Sequence, residues 1–235
     1  QENGQPRYGR FESVPSTIHV QRYIYKTPYG KVLKGWRKQL KYKKFKFCGI
    51  QHKHYSIGLA IADIGWVGHG FFYIYDHETG QVIEWNAIQP LGHKTYLDEQ
   101  PLFNQSYFSK SPYQFDIQHA NGVRYIRVTK YGEICLSARI FCAGTDILSL
   151  CTPTGINGWT YTQKQTTLAV EGMFINKQNQ IELYNEQGEF EQALRIISIT
   201  DNQLVLEEAA SDTIMLKFHY NKINKLNPNC IKYKK

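Results

Sequence analysis

The feature that most constrains this chain is a period of two, repeated over short runs and broken by turn residues. In "YKKFKFCGI" Phe45 and Phe47 share one face, while Lys44, Lys46 and Cys48 share the other. In "HVQRYIYKT" Val20, Arg22, Ile24 and Lys26 alternate with Gln21, Tyr23 and Tyr25. Alternation of this kind marks half-buried strands. Further strands are predicted at 54–63, 66–76, 81–86, 113–119, 122–130, 133–141, 158–162, 168–175, 180–184, 194–199, 203–207 and 213–219. Turn residues punctuate them: His119-Ala120-Asn121-Gly122, Lys130-Tyr131-Gly132-Glu133 and Thr200-Asp201-Asn202-Gln203. Helical periodicity is confined to a short turn near 186–192, and the Pro-, Asn- and Ser-rich segment 87–112 reads as a long loop. Many short strands joined by tight turns predict an all-β antiparallel sandwich or barrel.

Charge is unevenly distributed. Residues 1–60 carry thirteen Lys and Arg against Glu2 and Glu12, a net +11 within a chain of net +8. Residues 22–53 could therefore meet an anionic membrane surface or nucleic acid. The alternation of 42–50 favours a plainer reading, in which the lysines form the wet face of a sheet. Five cysteines without a CxxC pair read as reduced, packed thiols, which points to the cytoplasm. The start at Gln1 reads as a fragment or processed form, compatible with a removed signal peptide. No apolar run reaches the roughly 18–20 residues that a membrane-spanning helix needs, so a soluble protein is expected. Asn104-Gln105-Ser106 matches a glycosylation acceptor, a pattern short enough to arise by chance.

The stretch "SIGLAIADIGWVGHGFFYIYDHETGQVIEW" (56–85) is the richest in candidate chemistry. Its glycines do not form a dinucleotide loop, because the β-rich run "FFYIYD" follows where a helix would have to begin. They suit a hairpin instead. Ser56, Gly58, Ala60 and Ala62 alternate with Ile57, Leu59 and Ile61, and Asp63-Ile64-Gly65 makes the turn. On the return strand Trp66, Gly68, Gly70 and Phe72 share a face, leaving a bare notch at Gly68 and Gly70. Such a notch marks a bend or the close approach of a ligand. Asp63 and His69 are candidates for general acid–base work, Asp63 being equally a turn former. Tyr161, Thr162 and Lys164 form a polar cluster that could hold a carboxylate, or else reach solvent over aromatic neighbours. His52 and His54 share a strand face, but no further ligands declare themselves, so no metal is assigned. No cofactor motif and no nucleophile elbow occurs. Arg124 and Arg127 have opposite parity, so at most one faces inward, where it would need a partner or an anionic ligand.

The segment 58–85, together with "GWTYTQKQTTLAVEGMF" (158–174) and "GWRKQLKYKKFKFCGI" (35–50), resembles an uncharacterised, mainly bacterial family, domain-of-unknown-function family 2804. The resemblance covers residues 10–176. It rests on a small/apolar strand ending in Asp, a Gly-aromatic turn and a strand ending D-x-x-T-G. Residues 177–220 look instead like the terminal hairpins of a lipocalin-like domain. The resemblance implies a calycin-like barrel or sandwich, distantly analogous to two-barrel proteins acting on carotenoids or tocopherols. Residues 1–17 are expected to be a flexible lead-in and 18–176 the β domain. Residues 177–220 would close that domain, and 221–235 would form a basic tail.

The expected function is binding of an apolar or amphiphilic small molecule by burial against aromatic side chains. Asp63, Trp66, Gly68, His69, Gly70, Phe72, Tyr161 and Lys164 are expected to line the site. The alternatives are a lyase, hydratase or cyclase on an isoprenoid-like lipid, with Asp63 or His69 as the acid, and a basic surface protein. The sequence does not choose an oligomeric state.

Overall fold

The computed structural model describes residues 4–101, 104–142, 144, 146–167, 169–175, 180–184, 190–200, 203–208 and 216–219, with side chains up to residue 174, Asn104 apart. Its strands, in chain order, begin with β1 (Gly9–Phe11), β2 (Lys44–Gln51), β3 (Tyr55–Asp63), β4 (Val67–Asp76), β5 (Val82–Pro90) and β6 (Thr95–Leu97). There follow β7 (Asn104–Lys110), β8 (Tyr113–Ala120), β9 (Val123–Lys130), β10 (Glu133–Phe141), β11 (Ile147–Thr154) and β12 (Gly158–Gln165). The last are β13 (Ala169–Ile175), β14 (Gln180–Tyr184), β15 (Phe190–Thr200), β16 (Gln203–Glu208) and β17 (Leu216–His219). A single α-helical turn, α1 (Gly35–Gln39), is the one α-helix among the described residues. No described helix is long and apolar enough to cross a membrane.

All strand pairings are antiparallel and make three open sheets among the described residues: β2-β3-β4-β5, β1-β11-β12, and a ten-stranded sheet ordered β17-β16-β15-β14-β13-β10-β9-β8-β7-β6. The hairpins follow from turn chemistry. Asn121 and Gly122 (φ 53 and 74) join β8 to β9, and Tyr131 and Gly132 (φ 53 and 86) join β9 to β10. Two consecutive left-handed residues match the right-handed twist of the strands they connect. Beyond β10 the chain departs into the β11–β12 hairpin, which β1 joins. It returns as β13 beside β10, and β14–β17 extend the large sheet as a meander. Strands β14–β17, within residues 177–220, thus belong to the same sheet as β6–β10 and β13. The predicted basic tail, 221–235, lies outside the described residues.

The core forms where the four-stranded sheet faces β6–β10 and β13. Leu59, Ile61, Phe72, Phe108, Phe115, Ile117 and Val128 have no exposed surface there. Each such side chain contributes on the order of 1.5–3 kcal/mol relative to its exposed state. Phe72 stacks on Trp85 of the neighbouring strand (centroids 4.8 Å apart, planes at 8°), and Phe108 faces Phe115 at 5.7 Å.

Several expectations change. Residues 19–27 do not form a strand: Val20–Arg22 is a 3-10 turn, followed by an isolated bridge between Lys26 and Val32. The expected loop 87–112 contains the end of β5, β6 and all of β7, where Ser106 and Phe108 point inward despite the polar composition. Strand β11 had no expectation attached to it. Residues 190–192, placed in a helical turn, belong to β15, and 186–189 lie outside the described residues. The lead-in is tied down at β1, whose Gly9, Arg10 and Phe11 pair with Cys151, Leu150 and Ser149.

The largest correction is the orientation of β2. Phe45 and Phe47 face solvent, 65% and 45% exposed, while Lys44, Lys46 and Cys48 point toward the second sheet. Register explains it. Lys46 pairs with Ile61 and Cys48 with Leu59, whereas Phe45 and Phe47 pair with Ala62 and Ala60. A strand shares its inward face with its partner, and the large residues of β3 define that face. The small residues of β3 lie on the outside, beneath rings from neighbouring strands. A Cβ on Gly58 would sit 2.2 Å from a Tyr73 ring carbon.

Candidate functional site

The Asp63 hairpin serves geometry. Asp63 Oδ1 accepts the Gly65 N–H at 2.9 Å, and Gly65 takes φ 85 with its α-carbon pressed against the Leu40 backbone. A side chain there would meet Leu40 O at 2.6 Å, so the turn tolerates only glycine. Asp63 pairs with Gly68, and Ala62 with His69. Adjacent pairs of an antiparallel ladder project to opposite faces, so Asp63 and His69 lie on opposite sides of the sheet and do not meet. His69 instead packs beside Phe71, with ring centroids 5.7 Å apart.

Gly68, Gly70 and Phe72 do face the interior, but the notch is full. A Cβ on Gly68 would lie 2.0 Å from Thr95 Oγ1, and one on Gly70 would lie 2.5 Å from ring carbons of both Phe108 and Phe115. These glycines admit side chains from the opposite sheet, leaving no gap for a guest at that point. Trp66, in the turn, is 57% exposed and does not frame the notch.

Tyr161 and Lys164 sit on β12, in a different sheet from Asp63, Trp66 and His69. The Tyr161 hydroxyl is 3.0 Å from Ser149 Oγ and donates to Gln163 Oε1 at 3.2 Å. Burial raises its pKa. Lys164 is exposed on the other face of the strand. The predicted residues therefore divide between two separate places.

Two other features look more like sites. The first is a cleft of about 360 Å³ between the end of the β2–β3 hairpin and strands β10 and β13. Ile50, Tyr55, Ile57, Leu136, Ala138, Val170, Met173 and Phe174 line it, with Gln51, His52 and Thr167 as polar members. The Tyr55 ring meets Phe174 edge-on at 5.0 Å, tying the two sheets together beside the cleft. Gly172 is needed for the close approach of β13 to β10, since a Cβ there would fall 2.6 Å from Ser137 O.

The second is a polar cluster on the inward face, built on β2, β7, β8 and β9. Lys46 Nζ donates to Ser106 Oγ at 3.0 Å, and Ser106 has no exposed surface. Lys44 Nζ donates to the Leu97 carbonyl at 3.1 Å. The parity of β9 allows one inward arginine, and it is Arg124. Its guanidinium donates to Gln165 Oε1 at 3.4 Å, and its charge acts on the Cys48 thiol. Arg124 pairs across the β8–β9 ladder with His119, which is 5% exposed and whose Nδ1 is sealed from solvent without a hydrogen-bond partner. Burial pushes the Lys46 ammonium down to about 8, and Arg124 adds to the effect. Burial, then Arg124 and Lys46, lower the His119 pKa as well. The Cys48 thiol is pushed up by burial, an effect that Arg124 opposes. Reading the lysines as solvated concealed Lys46, while Ser106 and His119 looked like loop and turn residues. Period-two parity taken with the β3 register would have found Lys46.

Among the described residues no group of three or more His, Cys, Asp or Glu is arranged to hold a metal ion. His54 Nδ1 instead lies 2.6 Å from Glu78 Oε1 at the surface.

The family described as a domain of unknown function (DUF2804) matches residues 20–190, and the chain belongs to that family. The match runs past residue 176 and takes in β14. No curated protein and no solved structure matches the chain significantly.

Proposed function

We propose that this member of the DUF2804 family binds an apolar or amphiphilic small molecule, seated in the cleft between the β2–β3 hairpin and β10–β13. The observation that carries the reading is the composition of that cleft: side chains of Ile, Leu, Val, Met, Phe and Tyr surround about 360 Å³, with a few polar groups among them. Ligand pockets of ~300–1,000 Å³ are built in this way, an apolar body for affinity and few polar groups for orientation. A guest burying on the order of 200 Å² of apolar surface would gain about 5 kcal/mol before the cost of association. The hairpin meander of the large sheet supports a calycin-like classification, and proteins of that kind hold ligands between or within curved sheets. The acid–base alternative is weakened, because Asp63 and His69 lie on opposite faces of their sheet.

The test is fluorescence titration with N-phenyl-1-naphthylamine, a neutral apolar probe that brightens on leaving water. Saturable enhancement is expected for the wild type, with affinity falling at least roughly tenfold in Ile50→Trp, which fills the cleft. Val170→Phe, entering from the other wall, should act in the same direction. The reading fails if no saturable signal develops, or if both folded variants bind the probe as the wild type does.

A further inference from the structure

We propose that Arg124 and His119, with Lys46 opposite them, form a binding site for a carboxylate anion on the inward face of the β8–β9 hairpin. The site is separate from the cleft and stands whether or not the cleft takes a guest. Two observations lead to it. The first is His119: it is 5% exposed, and its Nδ1 is buried with no hydrogen-bond partner. An orphaned nitrogen of this kind costs about 1–3 kcal/mol unless a partner arrives. The second is Arg124, a permanent cation facing inward with a neutral partner, the Gln165 amide oxygen. Among the described residues it makes no ion pair.

The ladder brings these two groups together. His119 and Arg124 are direct cross-strand partners, and residues so placed hold their Cβ atoms about 4.5–5.5 Å apart on one face. An anion between them could accept from the guanidinium and from Nδ1–H at once. Lys46 comes from the facing sheet and lowers the His119 pKa, as Arg124 does, so both positive charges act on the imidazole. Of the other groups around the cluster, Lys44 is engaged with the Leu97 carbonyl. The Cys48 and Cys142 thiols are held protonated by burial. Asp98 favours the Lys46 ammonium, but less than Arg124 opposes it. A monoanion suits one permanently charged arginine with a neutral partner, and the planar guanidinium fork matches a carboxylate in geometry.

The acid could be a free short one or the head of an acyl chain, and the experiment separates them. The full chain is titrated with sodium acetate and with sodium octanoate against a sodium chloride background of constant ionic strength. The readouts are heat and the His119 Cε1–H resonance. Both acids, or octanoate alone, should bind saturably and raise the pH at which His119 titrates, since a bound anion favours the imidazolium. Equal affinities indicate a short acid, while tighter octanoate indicates an acid bearing a chain. Arg124→Met should weaken binding roughly 10- to 100-fold, with Arg124→Lys in between. If Arg124→Met does not fold, Lys46→Met carries the same test and should also weaken binding. The proposal is overturned if neither acid moves His119 beyond the effect of chloride, or if affinity is unchanged in the folded variants.

Discussion

Replacing Lys46 with methionine should stabilise the protein at neutral pH, although it deletes a hydrogen bond. The fall of the ammonium from 10.5 to about 8 corresponds, at ~1.36 kcal/mol per pH unit, to about 3 kcal/mol disfavouring the charged form in the folded state. Methionine has a similar length and places apolar surface where that charge stood. Against this, the Ser106 hydroxyl, 0% exposed, loses the Nζ donor 3.0 Å away, a loss on the order of 1–3 kcal/mol. The net expectation at pH 7 is a gain of up to about 2 kcal/mol, in line with replacements of buried charges by apolar residues.

The pH dependence is the sharper check. Between about 8 and 10.5 the unfolded lysine holds its proton while the folded one has lost it. Unfolding then takes up protons, and wild-type stability rises with pH through this window. The buried Cys48, Cys142 and Cys151 thiols and the half-buried Cys135 act oppositely. Their raised pKa values mean that the unfolded state ionises first, so stability falls as pH rises above the unfolded thiol value. Cys135, Cys142 and Cys151 cancel in the difference between the two proteins, which therefore reports Lys46 together with its charge coupling to Cys48. Urea unfolding under reducing conditions, followed by tryptophan fluorescence at pH 7, 8, 9 and 10, should show the advantage of Lys46→Met shrinking above pH 8 and reversing near pH 10. A variant less stable than wild type at pH 7, with a gap that stays constant to pH 10, would refute the claim that Lys46 is a buried charge under strain.

Gly70→Ala should cost about 1–3 kcal/mol, because the added methyl would lie 2.5 Å from the packed rings of Phe108 and Phe115. A neutral result in chemical denaturation would mean that the notch has room after all. Tyr131→Asn should add on the order of 0.5–1 kcal/mol. The residue is 78% exposed at φ 53, and asparagine accepts the left-handed region more readily than a bulky side chain does. A thermal melt that falls, or does not move, would count against a primed turn at this hairpin.

The fold was legible wherever a strand carried its own alternation and its own turn. The hairpins around Gly65, Gly80, Gly122 and Gly132 each combine a left-handed glycine with flanking period-two runs, and each appears where expected. Strand β7 was hidden because its inward residues include Ser106, whose polarity suggests a loop while its burial depends on a lysine from another sheet. The run at 19–27 failed for the reverse reason. It alternates, but among the described residues no strand pairs with it beyond the bridge to Val32. Alternation is a property of one segment, whereas a sheet is a property of two.

The same distinction governs the site. A period of two says which residues share a face, but only the partner strand says which face is dry. In β2 the choice between two phenylalanines and two lysines looks obvious by transfer energy, and the register reverses it. The alanines of β3 accept the rings outside, while Ile61 and Leu59 carry Lys46 and Cys48 inward with them. That reversal places an ammonium beside Arg124 and His119, in a part of the sandwich that apolar packing alone would have filled. Burial, and after it the neighbouring positive charge, lowers the proton affinity of Lys46 and of His119. Bringing a negative charge in from solution would offset the second of these causes, and a site that gains in this way from an anion is poised to bind one.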